Sequence, residues 1–185
     1  MIDTTLCYGI WSDPVHDEMC ASQLVWLEAS LNSSKADYLF VAGHYPVWSG
    51  CSHGNTEWAI DVLLPLLLQS NATGYISGHD HCLQHIVPDV NDIANGGGLV
   101  FVVSGTGDGC CYEESNLNGL PEDSLKFILS SGVNPSNTTG GFASFDFIQP
   151  SIVEGRVAGK STLVVSYRDQ DGTVLYESEP VFPRS

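Results

Sequence analysis

Three short apolar runs constrain the fold of this chain more than anything else in it. They are Asp37-Tyr38-Leu39-Phe40-Val41-Ala42, Ala72-Thr73-Gly74-Tyr75-Ile76-Ser77 and Leu99-Val100-Phe101-Val102-Val103. None shows the strict alternation of a strand with one wet face. Near-continuous apolar runs of this length are what parallel strands covered on both faces look like. Between the first and second lies a helix-length stretch, roughly Thr56 to Gln69, with Asn55 as its N-cap and Pro65 as a kink. Ahead of the first, Leu24, Val25, Leu27 and Leu31 fall at helical spacing over Met19 to Leu31, and Asn32-Ser33-Ser34 ends that helix. Strand, helix, strand with crossover-length connections implies an α/β core whose parallel strands release their loops at one edge.

The last third reads differently. A loop-rich stretch from Ser115 to Asn137 carries a short strand near Leu125 to Leu129, and Gly141 to Phe147 alternates apolar with polar. Thr162 to Tyr167 and Val174 to Glu177 flank Asp169-Gln170-Asp171-Gly172, a hairpin turn. This is antiparallel sheet added to the α/β part, with no linker to make it a separate domain. At the other end, Met1 to Leu6 reads as the tail of a strand with nothing before it to pair with. A loop from Tyr8 to His16 follows, containing Trp11 and Pro14.

A chain of 185 residues suffices for one domain with a real core. Its formal charge of −16 argues against nucleic acid or an anionic membrane as a partner, and repels anionic substrates unless a bound cation reverses the field locally. No apolar run approaches the roughly 20 residues that span a bilayer, and Met1 to Thr5 lacks the pattern of a signal peptide. The six cysteines, with Cys110 and Cys111 adjacent, form neither a zinc-finger spacing nor a recognisable disulfide framework. Three sequons, at Asn32, Asn71 and Asn137, lean with the cysteines towards a secreted or lysosomal/vacuolar setting.

Two of the three apolar runs end in Gly-His: Val41-Ala42-Gly43-His44 and Ile76-Ser77-Gly78-His79, the latter continuing to Asp80-His81. Open α/β sheets bind ligands beyond the carboxyl ends of their strands. If the two strands are neighbours, His44, His79 and His81 converge there, and three neutral imidazoles suit zinc, iron or manganese. Gly before each His lets the backbone turn sharply and approach closely. For a single His-x-His, a surface residue beside a satisfied core group is the blander reading; the repeated strand-Gly-His unit favours a metal site. His85 reads as structural or supporting and His16 as an exposed loop residue. Cys82 reads as buried filler rather than a ligand, and Asp80 as a loop group or one that supports the ligands rather than a ligand itself.

Val41-Ala42-Gly43-His44-Tyr45-Pro46-Val47-Trp48-Ser49, with Gly78-His79-Asp80-His81 and Leu83-Gln84-His85, resembles the purple acid phosphatases, closest to the small tartrate-resistant kind. Gln23-Leu24-x-Trp26-Leu27, Ile2-Asp3-Thr4, Val103-Ser104-Gly105-Thr106-Gly107 and Gly140-Gly141-Phe142-Ala143 extend the likeness over nearly the whole chain. The resemblance implies the metallophosphoesterase α+β sandwich and acid hydrolysis of phosphate monoesters or phosphoproteins at a dinuclear centre of Fe(III) with Fe, Zn or Mn. It implies that His44 and His79 ligate the divalent metal and His81 the iron(III). It makes His53 a proton donor to the leaving group or a contact to the substrate phosphate. Two metals would bind the phosphate oxygens, activate a water and supply the positive field that an acidic chain lacks.

The family's Gly-Asp-x-Gly, Gly-Asp-x-x-Tyr and Gly-Asn-His motifs, which supply the charged ligands, do not occur; Gly107-Asp108-Gly109-Cys110 is a near miss in the wrong place. Residues 1–185 therefore read as the C-terminal part of one metallophosphoesterase domain, needing an N-terminal half from the same or another chain. Two function classes follow: an acid phosphatase of which this chain supplies the histidines, or a non-catalytic secreted glycoprotein that keeps the fold and binds at most one metal weakly.

Overall fold

The computed structural model describes residues 1–8, 13–132, 140–153 and 156–184; Trp11 and the Asn137 sequon lie outside them. The first helix, α1 (Pro14–Ser33), begins five residues ahead of its apolar periodicity. The reason is the cap: Asp13 accepts from the backbone N–H groups of Val15 and His16, and Pro14 takes the first turn, where no N–H is needed. His16 thus lies in a helix rather than a loop, its Nδ1 2.6 Å from the Asp13 carboxylate. The second helix is interrupted. A π turn over Ala59–Leu63 leads into α2 (Leu64–Gln69), and Leu64 N–H reaches back to Ala59. The kink expected at Pro65 takes this form, since Pro65 cannot donate into the regular ladder. Asn55 does not cap that helix; its Oδ1 accepts from Ser49 N–H at 3.0 Å and its Nδ2 donates to the Gly119 carbonyl at 2.6 Å.

The main sheet holds β1 (Phe40–Ala42), β2 (Gly74–Ser77), β3 (Leu83–Ile86), β4 (Val100–Ser104) and β5 (Leu125–Leu129) in the order β1-β2-β4-β3-β5. The three apolar runs supply β1, β2 and β4, and these are parallel as expected. β3 runs antiparallel to both β4 and β5. Met1 to Leu6 is not a strand: Ile2 N–H donates to the Ala42 carbonyl at 2.8 Å, and the chain then turns, with Tyr8 N–H on the Thr4 carbonyl. A second, antiparallel sheet is formed by β6 (Gly141–Ile148), β9 (Thr162–Asp169) and β10 (Val174–Glu177); β7 (Ser151–Val153) pairs with β8 (Arg156–Ala158) alone.

Three layers result. On one face of the main sheet Val41, Tyr75 and Phe101 pack with Leu27 and Leu31 of α1 and Leu63, Leu64 and Leu67 of the second helix. On the other face Leu83, Val100, Val102 and Leu129 meet Val165 and Tyr167 of the second sheet. Both faces of β1, β2 and β4 are therefore dry, which is why their sequences do not alternate. No helix among the described residues is long and apolar enough to cross a membrane.

Candidate functional site

β1 and β2 are neighbours in register Ala42↔Ile76, and the pairing continues past their ends: Gly43 N–H donates to the Ile76 carbonyl and Gly78 N–H to the His44 carbonyl. The two Gly-His units therefore lie side by side. Gly43 is sterically required, because a Cβ there would lie 2.3 Å from the Tyr75 hydroxyl and 2.7 Å from Thr4. Gly78 is not; a Cβ there would meet nothing closer than 3.9 Å. The sharp turn falls one residue later, at His79, whose φ of 65° is left-handed. That conformation costs a non-glycine residue about 1–2 kcal/mol, and such strain concentrates at functional turns. Thr4, fully buried, accepts from the backbone N–H groups of both His44 and Tyr45 at 3.1 Å. It holds His44 where β1 ends.

The imidazoles gather around His79. Its Nδ1 is 3.1 Å from His44 Nε2, and the His53 ring stacks on it with centroids 4.3 Å apart. His81 stacks on Tyr112 at 4.4 Å, and the same Tyr112 ring meets His53 edge-on at 5.3 Å. Burial, and after it the neighbouring His53 and His44, pushes the His79 pKa down to about 4, so its ring is neutral and free to offer a lone pair at neutral pH.

Beneath the rings lies a buried polar network. Asp80 is fully buried; its Oδ2 accepts from Ser49 Oγ and its Oδ1 from His53 N–H at 2.9 Å. Ser49 Oγ in turn accepts from Gln84 Nε2 at 2.8 Å, while Gln84 Oε1 accepts from Gly50 N–H at 2.8 Å. Cys82 is not filler: it forms a disulfide with Cys51, across the same two loops. A second disulfide, Cys7–Cys20, ties the N-terminal turn to α1. Of the groups around the imidazoles, Thr4, Tyr45, Ser49 and Gln84 lie within the motifs that carry the resemblance but had no role readable from the sequence, and Tyr112 lies in none of those motifs.

Gly105, just past β4, lets this loop close. A Cβ there would lie 2.0 Å from the Asp80 carbonyl oxygen. Gly105→Ala is expected to destabilise the protein by about 1–3 kcal/mol, the usual range for overpacking, measured as a lowered urea midpoint.

The donor set tests the fit to a metal. Two ring nitrogens converge, with further imidazoles beside them. Asp80, the carboxylate of the His-x-His loop, has both oxygens turned to Ser49 and His53. No group of three His, Cys, Asp or Glu side chains close enough to hold an ion occurs among the described residues. Among the described residues, two ring nitrogens lie together, but no complete set of metal ligands does.

Comparison with known proteins agrees with the fold and with the motifs. Residues 5–83 match the family model of the calcineurin-like phosphoesterases. The chain is 35% identical over 171 residues to tartrate-resistant acid phosphatase type 5 of Sus scrofa, which covers 87% of this chain and 47% of that protein. To the same enzyme of Homo sapiens it is 31% identical over 186 residues, covering 96% and 50%. Purple acid phosphatase 17 of Arabidopsis thaliana is 37% identical over 101 residues, covering 55% and 28%. Among solved structures, GAP50, titled the anchor in the inner membrane complex of Plasmodium, superposes with a TM-score of 0.66 at 18% identity, covering all of this chain and 49% of that one. Purple acid phosphatase PPD1 from yellow lupin superposes at 0.59 and 17% identity, covering 84% and 27%. At such identities the structural likeness shows the fold alone. The chain is thus similar over residues 5–83 to the calcineurin-like phosphoesterases. Over most of its length it is similar to the tartrate-resistant acid phosphatases, and it spans about half the length of those relatives.

Proposed function

We propose that this chain is the imidazole-bearing part of a metal-dependent acid phosphatase acting on phosphate monoesters or phosphoproteins. The observation that carries the reading is the convergence of His44 and His79 from adjacent parallel strand ends, with His53 stacked on His79. His44 and His79 would hold a divalent metal and His81 an iron(III). When bound, such a centre activates a water and neutralises phosphate charge. The chain's own residues do the rest. Thr4 fixes the His44 backbone, the left-handed turn at His79 brings its ring alongside His44, and His53 offers a proton to the departing alkoxide from the exposed side. Carboxylate ligands come in this reading from an N-terminal half. The cleft of about 800 Å³ lined by Ile2, Thr4, Gly43, His44 and Gly78 leaves room beside His44 for them. Cys7–Cys20 and Cys51–Cys82, with the exposed Asn32 and Asn71, support an oxidising, secreted or lysosomal/vacuolar location.

A second reading, a non-catalytic glycoprotein with weak single-metal binding, is favoured by the absence, among the described residues, of any group of three His, Cys, Asp or Glu side chains placed to hold an ion. The anchor title of one structural neighbour shows that the fold is not confined to proteins named as enzymes. The deciding experiment is p-nitrophenyl phosphate hydrolysis with iron and zinc. Residues 1–185 alone are expected to show none. The chain joined to a segment with Gly-Asp-x-Gly and Gly-Asn-His is expected to hydrolyse the ester and to lose activity by on the order of 100-fold with His81→Ala. Absence of hydrolysis in the joined form rejects the phosphatase reading. Robust activity of residues 1–185 alone that falls with His81→Ala rejects the need for a second half.

A further inference from the structure

We infer that Asp80 is the positioning residue for His53: it carries no chemistry itself but sets where the His53 ring stands over His79. The inference rests on the phosphatase reading for its consequence, though not for its geometry. Asp80 lies between His79 and His81, and it is the one member of that triplet with a fully buried side chain. Both of its oxygens are spent on the neighbouring loop rather than on its own. Oδ2 takes the Ser49 hydroxyl at one end of the 49–53 segment and Oδ1 takes the His53 N–H at the other. Within that span Gly50 N–H is held by Gln84 and Cys51 is bonded to Cys82. The loop is thus zipped to the end of β2 and to β3, and its last fastening is at the backbone of His53. The following residue, Gly54, turns left-handed (φ 70°), and a Cβ there would lie 3.1 Å from Asn116, so the chain leaves the site immediately after the clasp. His53 itself is exposed, so burial of its ring does not place it; the clasp does.

The carboxylate is needed because the two donors face it from opposite partners. An amide at position 80 offers one acceptor and one donor group. With its oxygen on His53 N–H, its NH2 would face a Ser49 Oγ that already accepts from Gln84 Nε2 and Cys51 N–H. Asp80→Asn therefore keeps at most one of the two ties.

The test is NMR of the histidine-labelled chain. Wild type is expected to show ring NOEs both from His53 to His79 and from His44 to His79, and a protected His53 amide. In Asp80→Ala the His53–His79 NOE is expected to vanish and the His53 amide to exchange about 100-fold faster, with the His44–His79 NOE retained because strand pairing holds it. If Asp80→Ala does not fold, Asp80→Asn and Ser49→Ala are read instead: each keeps the tie to His53 N–H and loses the one to Ser49, so the His53–His79 NOE is expected to weaken rather than vanish, and an undiminished NOE in both overturns the inference. Leu163→Ala, which destabilises the molecule from the buried second sheet, is expected to leave both NOEs in place. An unchanged His53–His79 NOE overturns the inference. So does loss of both NOEs together, because Asp80 would then merely hold up the loop. In the form that hydrolyses p-nitrophenyl phosphate, Asp80→Asn is expected to lower kcat about tenfold with little change in KM. Absence of hydrolysis in every form rejects the phosphatase reading and leaves the NOE result to decide the positioning role.

Discussion

Replacing Cys51 and Cys82 together by alanine is expected to lower the unfolding free energy by about 3–4 kcal/mol. The bridge closes a sequence separation of 31 residues, and in the chain-entropy account a loop of that size restricts the unfolded ensemble by this amount. Against the 5–15 kcal/mol that holds a typical domain together, the loss is severe. Both side chains are fully buried, so alanine leaves no unpaired hydroxyl in the core, as serine would. Urea unfolding would show a lowered midpoint together with a steeper m-value, because the unbridged denatured chain exposes more surface. A loss below about 1 kcal/mol would mean that the bridge adds little beyond the Asp80–Ser49–Gln84 network already joining the two loops.

This bridge also marks where sequence reading stops. Cys51 and Cys82 stand in no recognisable spacing. They are near because β1 and β2 are adjacent parallel strands and each cysteine lies on the loop leaving one of them. Parallel pairing itself was legible, because a strand dry on both faces must be apolar throughout, and so were the two Gly-His units and the 169–172 hairpin. β3 was hidden for the opposite reason. Its two central residues, Gln84 and His85, are polar yet buried, satisfied by Ser49 and Gly50 on one side and Tyr167 on the other. Their partners are distant in sequence, so no local pattern announces them. The glycine argument was right at Gly43, where Tyr75 leaves no room for a side chain, and misplaced at Gly78, where His79 makes the turn. Periodicity located α1 but not its start, which the Asp13-Pro14 cap decides.

Acid is expected to destabilise the protein through His85, by about 2 kcal/mol at pH 5 and about 3 kcal/mol below pH 4, relative to neutral pH. His85 is 2% exposed. Tyr167 Oη donates to the Gln84 carbonyl at 2.7 Å, so its oxygen is left to accept, and His85 Nδ1 at 3.2 Å carries the proton. Burial first, and then the charge of Lys126, pushes the His85 pKa down from 6.5 to about 4. The folded protein therefore resists a second proton that the unfolded chain binds readily. Above pH 6.5 neither state is protonated and His85 costs nothing. As the pH falls from 6.5 towards 4 the unfolded state gains a proton that the folded state does not, and stability is lost. Below 4 both bind it and the loss levels off. His85→Gln, which can still donate to Tyr167 and does not titrate, isolates the effect, since every other titrating group cancels in the difference between the two proteins. Whatever the variant's stability at pH 7, it should fall between pH 7 and pH 4 by about 3 kcal/mol less than that of the parent. Parallel pH profiles would show that His85 is not buried neutral. A core histidine of this kind leaves stability in acid to terms that do not titrate, and the Cys51–Cys82 bridge is one of them.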